Sequence, residues 1–295
     1  GNVGRSVERT HQEDFLRDSV EDFLDNVVRQ GNIGSPGSMR QRIQEFVRSR
    51  PDLAWAANVP PRQTALEHFL PRLKIAVVLL GALVLLPLLI PLAIIWLFML
   101  WWTETHEPPP EDLDVKLHVR DLVKREDRTH IVQNHMASIT TVKPGVFRRV
   151  TLRAVLWLVN LIARTADKGE LSGIPSIHFA HWSLIDKGRR LFFVSNFDGS
   201  WENYLDDFID KASPGLTAIW SNTIGFPKTR WLIKEGARDG SRFKANARDK
   251  QNYTNVWYSA YTQLTVQTID NNSAIREEMF SSLDDAVTLD WVRRF

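Results

Sequence analysis

The sequence predicts an α+β fold: a ferredoxin-like antiparallel sheet covered by helices, together with a membrane-inserted helix or helical hairpin. Three observations predict it. "SIHFAHWSLI" (Ser176–Ile185) and "RLFFVSNFD" (Arg190–Asp198) read as strands joined by the hairpin turn "DKGR". The segment opened by Gly199 and Ser200 repeats Trp201, Tyr204, Leu205, Phe208 and Ile209 at helical spacing, with Glu202, Asp206, Asp207 and Asp210 on the opposite face. Finally, Ile75 to Trp102 contains no charged residue, a run that a water-soluble core rarely holds.

From the amino terminus, Ser6–Val28 carries Leu16, Val20, Leu24 and Val27 on one helical stripe, and "GNIGSPGS" ends it as a loop. Met39–Val47 is expected to form a second short helix, stopped by Pro51. The apolar run follows, and as one helix it would measure about 42 Å, more than the roughly 20 residues a bilayer core requires. Pro87 and Pro91 divide it into Ile75–Leu86 and Leu92–Trp102, so a kinked span and a hairpin that dips in and returns are both open. Trp96, Trp101 and Trp102 stand where an aromatic belt would lie. Arg62, Arg72 and Lys74 precede the run, whereas "TETHEPPPEDLD" follows it, so the amino side reads as cytoplasmic. A hairpin would put both flanks, and the soluble domain, on that face.

Beyond a stiff "EPPPED" linker, Val115–Arg128 reads as a charged helix and "VKPG" as a turn. Phe147–Thr165 is apolar at its centre and bracketed by Arg148, Arg149, Arg153 and Arg164. It suits either the membrane interface or a core under a sheet. "SPG" (Ser213–Gly215) is expected to end the helix begun at Ser200, "LTAIWSN" and "NVWYSAY" to be strands, and helices to follow near Ser241–Lys250 and around Ile275, Met279 and Leu283. "HQEDFLRDSVEDF" resembles "IREEMFSSLDDAV", with Glu13 opposite Glu277. These readings divide the chain into a terminal helix of a truncated first ferredoxin-like unit (1–30), a helical linker (31–74), the membrane segment (75–102), a polar linker and helix (103–146) and a ferredoxin-like domain with an amphipathic leading helix (147–295). The opening on Gly1, without a signal-peptide pattern, leads us to expect sequence upstream.

Composition narrows the chemistry. The chain has no cysteine, which removes disulfides, thiolate metal sites and cysteine nucleophiles. A net charge of +2 on 295 residues, with basic residues interspersed among acids, gives no footprint for nucleic acid. No nucleophile elbow, phosphate-binding glycine loop or zinc helix is present. His178 and His181 lie three apart on a strand, expected on opposite faces, while Glu126 with His130, and His130 with His135, make weak ligand sets, so no metal site is predicted. "SNFDGSW" is the leading candidate: Asn196, Asp198, Gly199 and Trp201 lie where a strand passes into a helix, a place for a cap or a ligand. Asn222 and Arg230 are further ligand candidates, and "KTRWLIKEGARDGSRFK" mixes cations with aromatics in a way that suits anionic lipid headgroups or phosphate as well as a solvated loop.

The stretch from "IHFAHWSLIDKGRRLFFVSNFDGSWENYLDDFID" to "GFPKTRWL", extended back through "QNHMASITTVKPGVFRRVTLRAVLW", resembles a group of uncharacterised bacterial membrane proteins. A more distant resemblance is to the dimeric α+β barrel class, which includes the dye-decolourising peroxidases. That likeness implies haem, with Asp198 of "SNFDG" as the acid–base residue and His178 or Arg190 nearby. It departs from the pattern at Ser195, which replaces a glycine, and no histidine follows His181 to act as the proximal ligand. Two functions are therefore expected: a membrane-attached binding or assembly module, for a lipid-like ligand, for self-association or within a membrane complex; alternatively, a peroxidase-like or lipid-modifying redox enzyme.

Overall fold

Ser6 accepts a hydrogen bond from Arg9 N–H and starts α1 (Val7–Arg29). Ser35 does the same for Ser38, with Pro36 in the first turn where it has no intrahelical donor to lose, so α2 (Pro36–Ser49) begins inside the expected loop. A 3-10 turn spans Pro51–Ala57. Then come α3 (Ala65–Val84), α4 (Leu86–His106), β1 (Gln133–Thr141), α5 (Val146–Ala163), β2 (Ile177–Ile185), β3 (Arg190–Asp198) and α6 (Trp201–Trp220). The two-residue strands β4 (Thr229–Arg230) and β5 (Lys234–Glu235) precede α7 (Gly240–Lys250), β6 (Gln251–Asn252), α8 (Val266–Met279) and α9 (Asp285–Val292). This computed structural model describes residues 5–31, 34–58, 65–108, 120–124, 132–163 and 174–295. Glu126, His130, the "PPED" part of the linker and the ends of the expected Val115–Arg128 helix lie outside the described residues; residues 120–124 within it are helical.

The chain divides into two units, Gln63–Tyr258 and Asn2–Arg62 with Ser259–Phe295. The carboxy-terminal helices thus group with the amino-terminal ones and not with the sheet. In the helical unit, Leu16, Val20, Ile43, Val47, Leu53, Ile275 and Trp291 form the core. Arg40 caps the end of α8, donating to the carbonyls of Glu278, Met279 and Ser281. Glu13, 1% exposed, accepts from Arg9 Nε at 2.6 Å, Ser273 Oγ at 2.5 Å and Arg276 Nη1 at 3.2 Å. The faint internal likeness falls on these packed helices: Arg9 also donates to Glu277, so the two aligned glutamates share one guanidinium.

In the other unit the strands run β2-β3-β1-β6, every pairing antiparallel. Asp186 and Lys187 take positive φ (51° and 58°) in the β2–β3 turn, as the hairpin reading requires. β1 went unrecognised in the sequence because its buried positions Met136, Ser138 and Thr140 are mostly polar. Ser138 and Thr140 lie directly opposite Phe193 and Leu191 of β3 under α6, and further along β3 Phe197 stacks on Tyr204 at 3.9 Å.

Two strand expectations are corrected. "LTAIWSN" is helical, because α6 continues through Pro214 to Trp220. Pro214 and Asp210 are both exposed, so the carbonyl that loses its donor faces water. Leu216, Ile219 and Trp220 meanwhile continue the buried stripe. "NVWYSAY" has no regular structure, and Val256 and Tyr258 are strongly exposed; the strand beside β1 is instead the short β6.

The apolar run forms α3 and α4, separated by Leu85 alone. Leu85 N–H donates to Gly81 O at 3.0 Å and Leu89 N–H to Leu85 O at 2.9 Å, so the helical bond pattern passes through the break. The expected break between Pro87 and Pro91 is therefore a bend just before them, with Pro87 in the first turn of α4 and Pro91 inside it. Among the described residues, α4 is the one helix long and apolar enough to cross a membrane, and only 6% of its apolar stretch is buried.

Candidate functional site

The turn after β3 brings several candidates together. A β-bulge between Ile177 and Phe179 sets His178 against Asp198, with Nε2 2.7 Å from Oδ1. His178 is buried and Asp198 nearly so. Beside them His135 Nδ1 lies 2.7 Å from Asn196 Oδ1, and His135 stacks on Trp257. Gly199 takes φ +76°, which a residue with a Cβ adopts at a cost, and Ser200 then caps α6. Trp201 is buried beneath the Arg248 guanidinium, 3.7 Å from its ring centroid. His181 is exposed on β2, and no group of three His, Asp or Glu side chains among the described residues could hold a metal ion.

Other candidates lie elsewhere. Arg190 opens the strand that Asp198 closes, roughly 26 Å away at about 3.3 Å per residue, and pairs with Asp186 at 3.1 Å. It is not part of an Asp198 site. Asn222 is buried at the end of α6, where its Nδ2 donates to Ala218 O at 2.8 Å; that is a helix-end role. The space enclosed between sheet and helices is about 20 Å³, room for one water. It is lined by Met136, Tyr204 and Asn246, among others, and not by Asp198 or His178. Burial pushes the Tyr204 hydroxyl well above its ordinary pKa, with Ser195 opposing, yet neither hydroxyl has a well-formed hydrogen bond among the described residues.

The opposite end of the sheet holds a more developed arrangement, built on the last turns of α4. Leu100, 1% exposed, packs with Ala218 and Leu232 against Trp96, Phe147 and Val155, and Trp96 Nε1 donates to Thr151 Oγ1 at 3.1 Å. Glu104 in the final turn and Glu107 at its cap follow, where the helix dipole disfavours acids. Specific partners offset this. Glu104, 6% exposed, accepts from Thr229 Oγ1 (3.1 Å), Trp231 N–H (2.7 Å) and Leu232 N–H (2.9 Å). Glu107 accepts from Lys143 Nζ (2.5 Å) and Arg148 Nη2 (2.6 Å). Arg148 is 3% exposed, and its Nε and Nη1 have no hydrogen-bond partner among the described residues.

Burial lowers the Lys143 pKa from the usual lysine value, with Glu107 opposing. The Lys143 methyl signals of reductively methylated protein are therefore expected to titrate by NMR at lower pH than those of exposed lysines. In the window between that lowered value and the ordinary one the unfolded chain binds the extra proton, so Lys143 adds stability as pH rises through it. A Lys143 midpoint equal to the exposed ones would contradict this.

The loop held by Glu104 is strained. Trp231, Leu232 and Glu235 have φ of 54°, 65° and 63°, in the left-handed region. Gly236 is required where it stands, since a Cβ there would meet Thr217 Cγ2 at 2.5 Å. The loop walls an open cleft of about 930 Å³ that includes Lys228, Arg230, Lys234, Arg238 and Arg242, with Glu235 and Asp239 as its acids. Arg230 was a sequence candidate. Glu104, Glu107, Lys143 and Arg148 were not, although two acids three residues apart just after Trp101–Trp102 were a usable signal. Compared with models of known protein families, with curated proteins and with solved structures, the chain finds no match.

Proposed function

We propose that this chain is a membrane-attached α+β module whose sheet domain is fixed at the bilayer surface by α4, acting in binding or assembly there. The observation that carries the reading is the surface of α4: apolar on every side and left uncovered, yet rigidly joined to the sheet domain at its last turns through Leu100, Glu104 and Glu107. A helix apolar all round is stable when lipid surrounds it. α5 supports the same reading. Its inner face buries Arg148, Thr151 and Leu152, while Val146, Val150, Trp157, Leu158 and Ile162 are exposed beside Arg153, the pattern of a helix lying in the interface. The element order β-α-β-β-α-β, read over β1, α5, β2, β3, α6 and β6 with strand order β2-β3-β1-β6, supports the ferredoxin-like assignment. Phe179 exposed on the sheet's second face leaves room for self-association or a complex partner.

Alkaline carbonate and high-salt washing of membranes from cells making the chain tests this. The protein is expected to stay in the pellet and to be released by detergent. Full release by carbonate would refute membrane insertion.

A further inference from the structure

We infer that the cleft formed by residues 228–242 binds the phosphate group of anionic phospholipid. The inference rests on the membrane-attached reading above and specifies the ligand. Five cations line the cleft against two carboxylates. One of those carboxylates, Asp239, is already engaged: it caps α7 by accepting from Arg242 N–H and pairs with the Arg242 guanidinium at 3.5 Å. Lys228, Arg230, Lys234 and Arg238 have no ion-pair or side-chain hydrogen-bond partner among the described residues. Unpaired cations gathered on one wall repel one another, and an anion between them relieves that repulsion.

Position identifies the anion's source. Glu104 binds the Trp231 and Leu232 amides directly and lies two residues past Trp102, about 3 Å further along the axis. Trp101 and Trp102 are exposed on α4, as interfacial aromatics would be. The cleft is thereby held at headgroup depth. Trp231 and Ile233, 40% and 47% exposed, project from the same strained loop and give it an apolar edge, suited to the acyl boundary and of no use to a free anion. The strain has a reason on this account: left-handed backbone at Trp231 and Leu232 turns both amides onto Glu104 while the flanking Arg230 and Ile233 remain exposed.

The test uses the full chain reconstituted into phosphatidylcholine nanodiscs. Affinity for added pyrene-labelled phosphatidylglycerol is read by energy transfer from tryptophan. Each juxtamembrane cation contributes roughly a fivefold factor, so the triple variant Lys228→Gln/Arg230→Gln/Lys234→Gln is expected to bind on the order of 100-fold more weakly. A charge-matched triple on exposed helices, Arg29→Gln/Lys211→Gln/Arg293→Gln, is expected to bind like the parent chain. Equal loss in both triples, or no loss in the first, would overturn the site. Displacement of the labelled lipid by inorganic phosphate at equal concentration would show a soluble-anion site and overturn the lipid assignment. A chain that enters nanodiscs but shows no preference for phosphatidylglycerol refutes this inference alone; a chain that fails to enter them refutes the membrane reading as well.

Discussion

Single cysteines placed at Gln30 and at Ser282 are expected to react with an impermeant maleimide from the same side of sealed membrane vesicles. The native chain has no cysteine, so the readout is free of background. The reason is the helical unit. Residues before the apolar run and residues near the carboxy terminus fold together: Glu13 of α1 is buried against Ser273 and Arg276 of α8, and Arg276 Nη2 donates to Asn58 O at 2.9 Å. A chain that crossed the bilayer an odd number of times would place these partners on opposite faces. It would leave Glu13 and Arg276 desolvated without each other, at about 3–5 kcal/mol for breaking such a buried pair. Of the kinked span and the hairpin, this pairing favours the hairpin, in which the apolar run enters and leaves by one face. With the bend at Leu85, Ile75–Val84 is about 15 Å long as a helix, half of a core about 30 Å thick, and Leu86–Trp102 about 26 Å, so the returning arm has to lie tilted. The bend at Leu85 then lies deepest, and sharpening it into a hairpin breaks the Leu85–Gly81 and Leu89–Leu85 bonds, while Pro87 and Pro91 have no N–H to lose. Arg72 and Lys74 favour the cytoplasmic face for both labels. Labelling from opposite sides would establish a single crossing and refute this topology.

Local periodicity carried much of the fold and failed at particular places for particular reasons. The β2–β3 hairpin and the stripe Trp201–Tyr204–Leu205–Phe208 were legible because both periods are strong and their turn and cap residues are unambiguous. β1 was missed because a strand that buries serine and threonine against aromatics from its neighbours shows no apolar alternation of its own. Pro214 misled because a proline's effect depends on whether the carbonyl it deprives of a donor meets solvent, which a linear sequence does not record. The grouping of 259–295 with residues 2–62 rests on contacts more than two hundred residues apart, such as Arg276 with Glu13; only the shared acidic pattern around Glu13 and Glu277 pointed toward it.

The candidate site divides in the same way. Asp198 and His178 meet because a bulge shifts His178, and a simple alternation rule gave no sign of that contact. Arg190 was grouped with Asp198 through the peroxidase likeness, but an extended strand separates its ends further than any other element. The basic stretch 228–242 was visible as composition. Its attachment to the apolar helix was not, because Glu104 acts through backbone amides, whose direction depends on φ values that the residues Trp231 and Leu232 do not announce.

Replacing Glu104 with alanine is expected to release that loop and to raise the rate of tryptic cleavage after Lys228, Arg230 and Lys234 by roughly 10²–10³-fold in detergent. Three acceptor contacts disappear at once, two of them to main-chain amides that no other described group accepts, in a place where only 6% of the residue is exposed. Each N–H left without an acceptor there costs about 1–3 kcal/mol, so the two together account for the expected factor. When opening and closing are fast relative to cleavage, that free energy appears directly in the open population. The strain at the left-handed residues Trp231 and Leu232 favours opening in the parent chain and the variant alike, so it leaves the ratio to the lost contacts. Glu104→Gln keeps one acceptor oxygen but turns an NH₂ toward an N–H donor, so its rate is expected to fall between those of the parent chain and Glu104→Ala. Cleavage after Lys211, on the exposed face of α6, gives the internal control: it rises with the loop sites if the whole domain unfolds and stays constant if the change is local. Unchanged loop cleavage in Glu104→Ala would mean that Leu232 packing on Leu100 holds the loop unaided, and that the carboxylate is not what couples the apolar helix to the basic cleft.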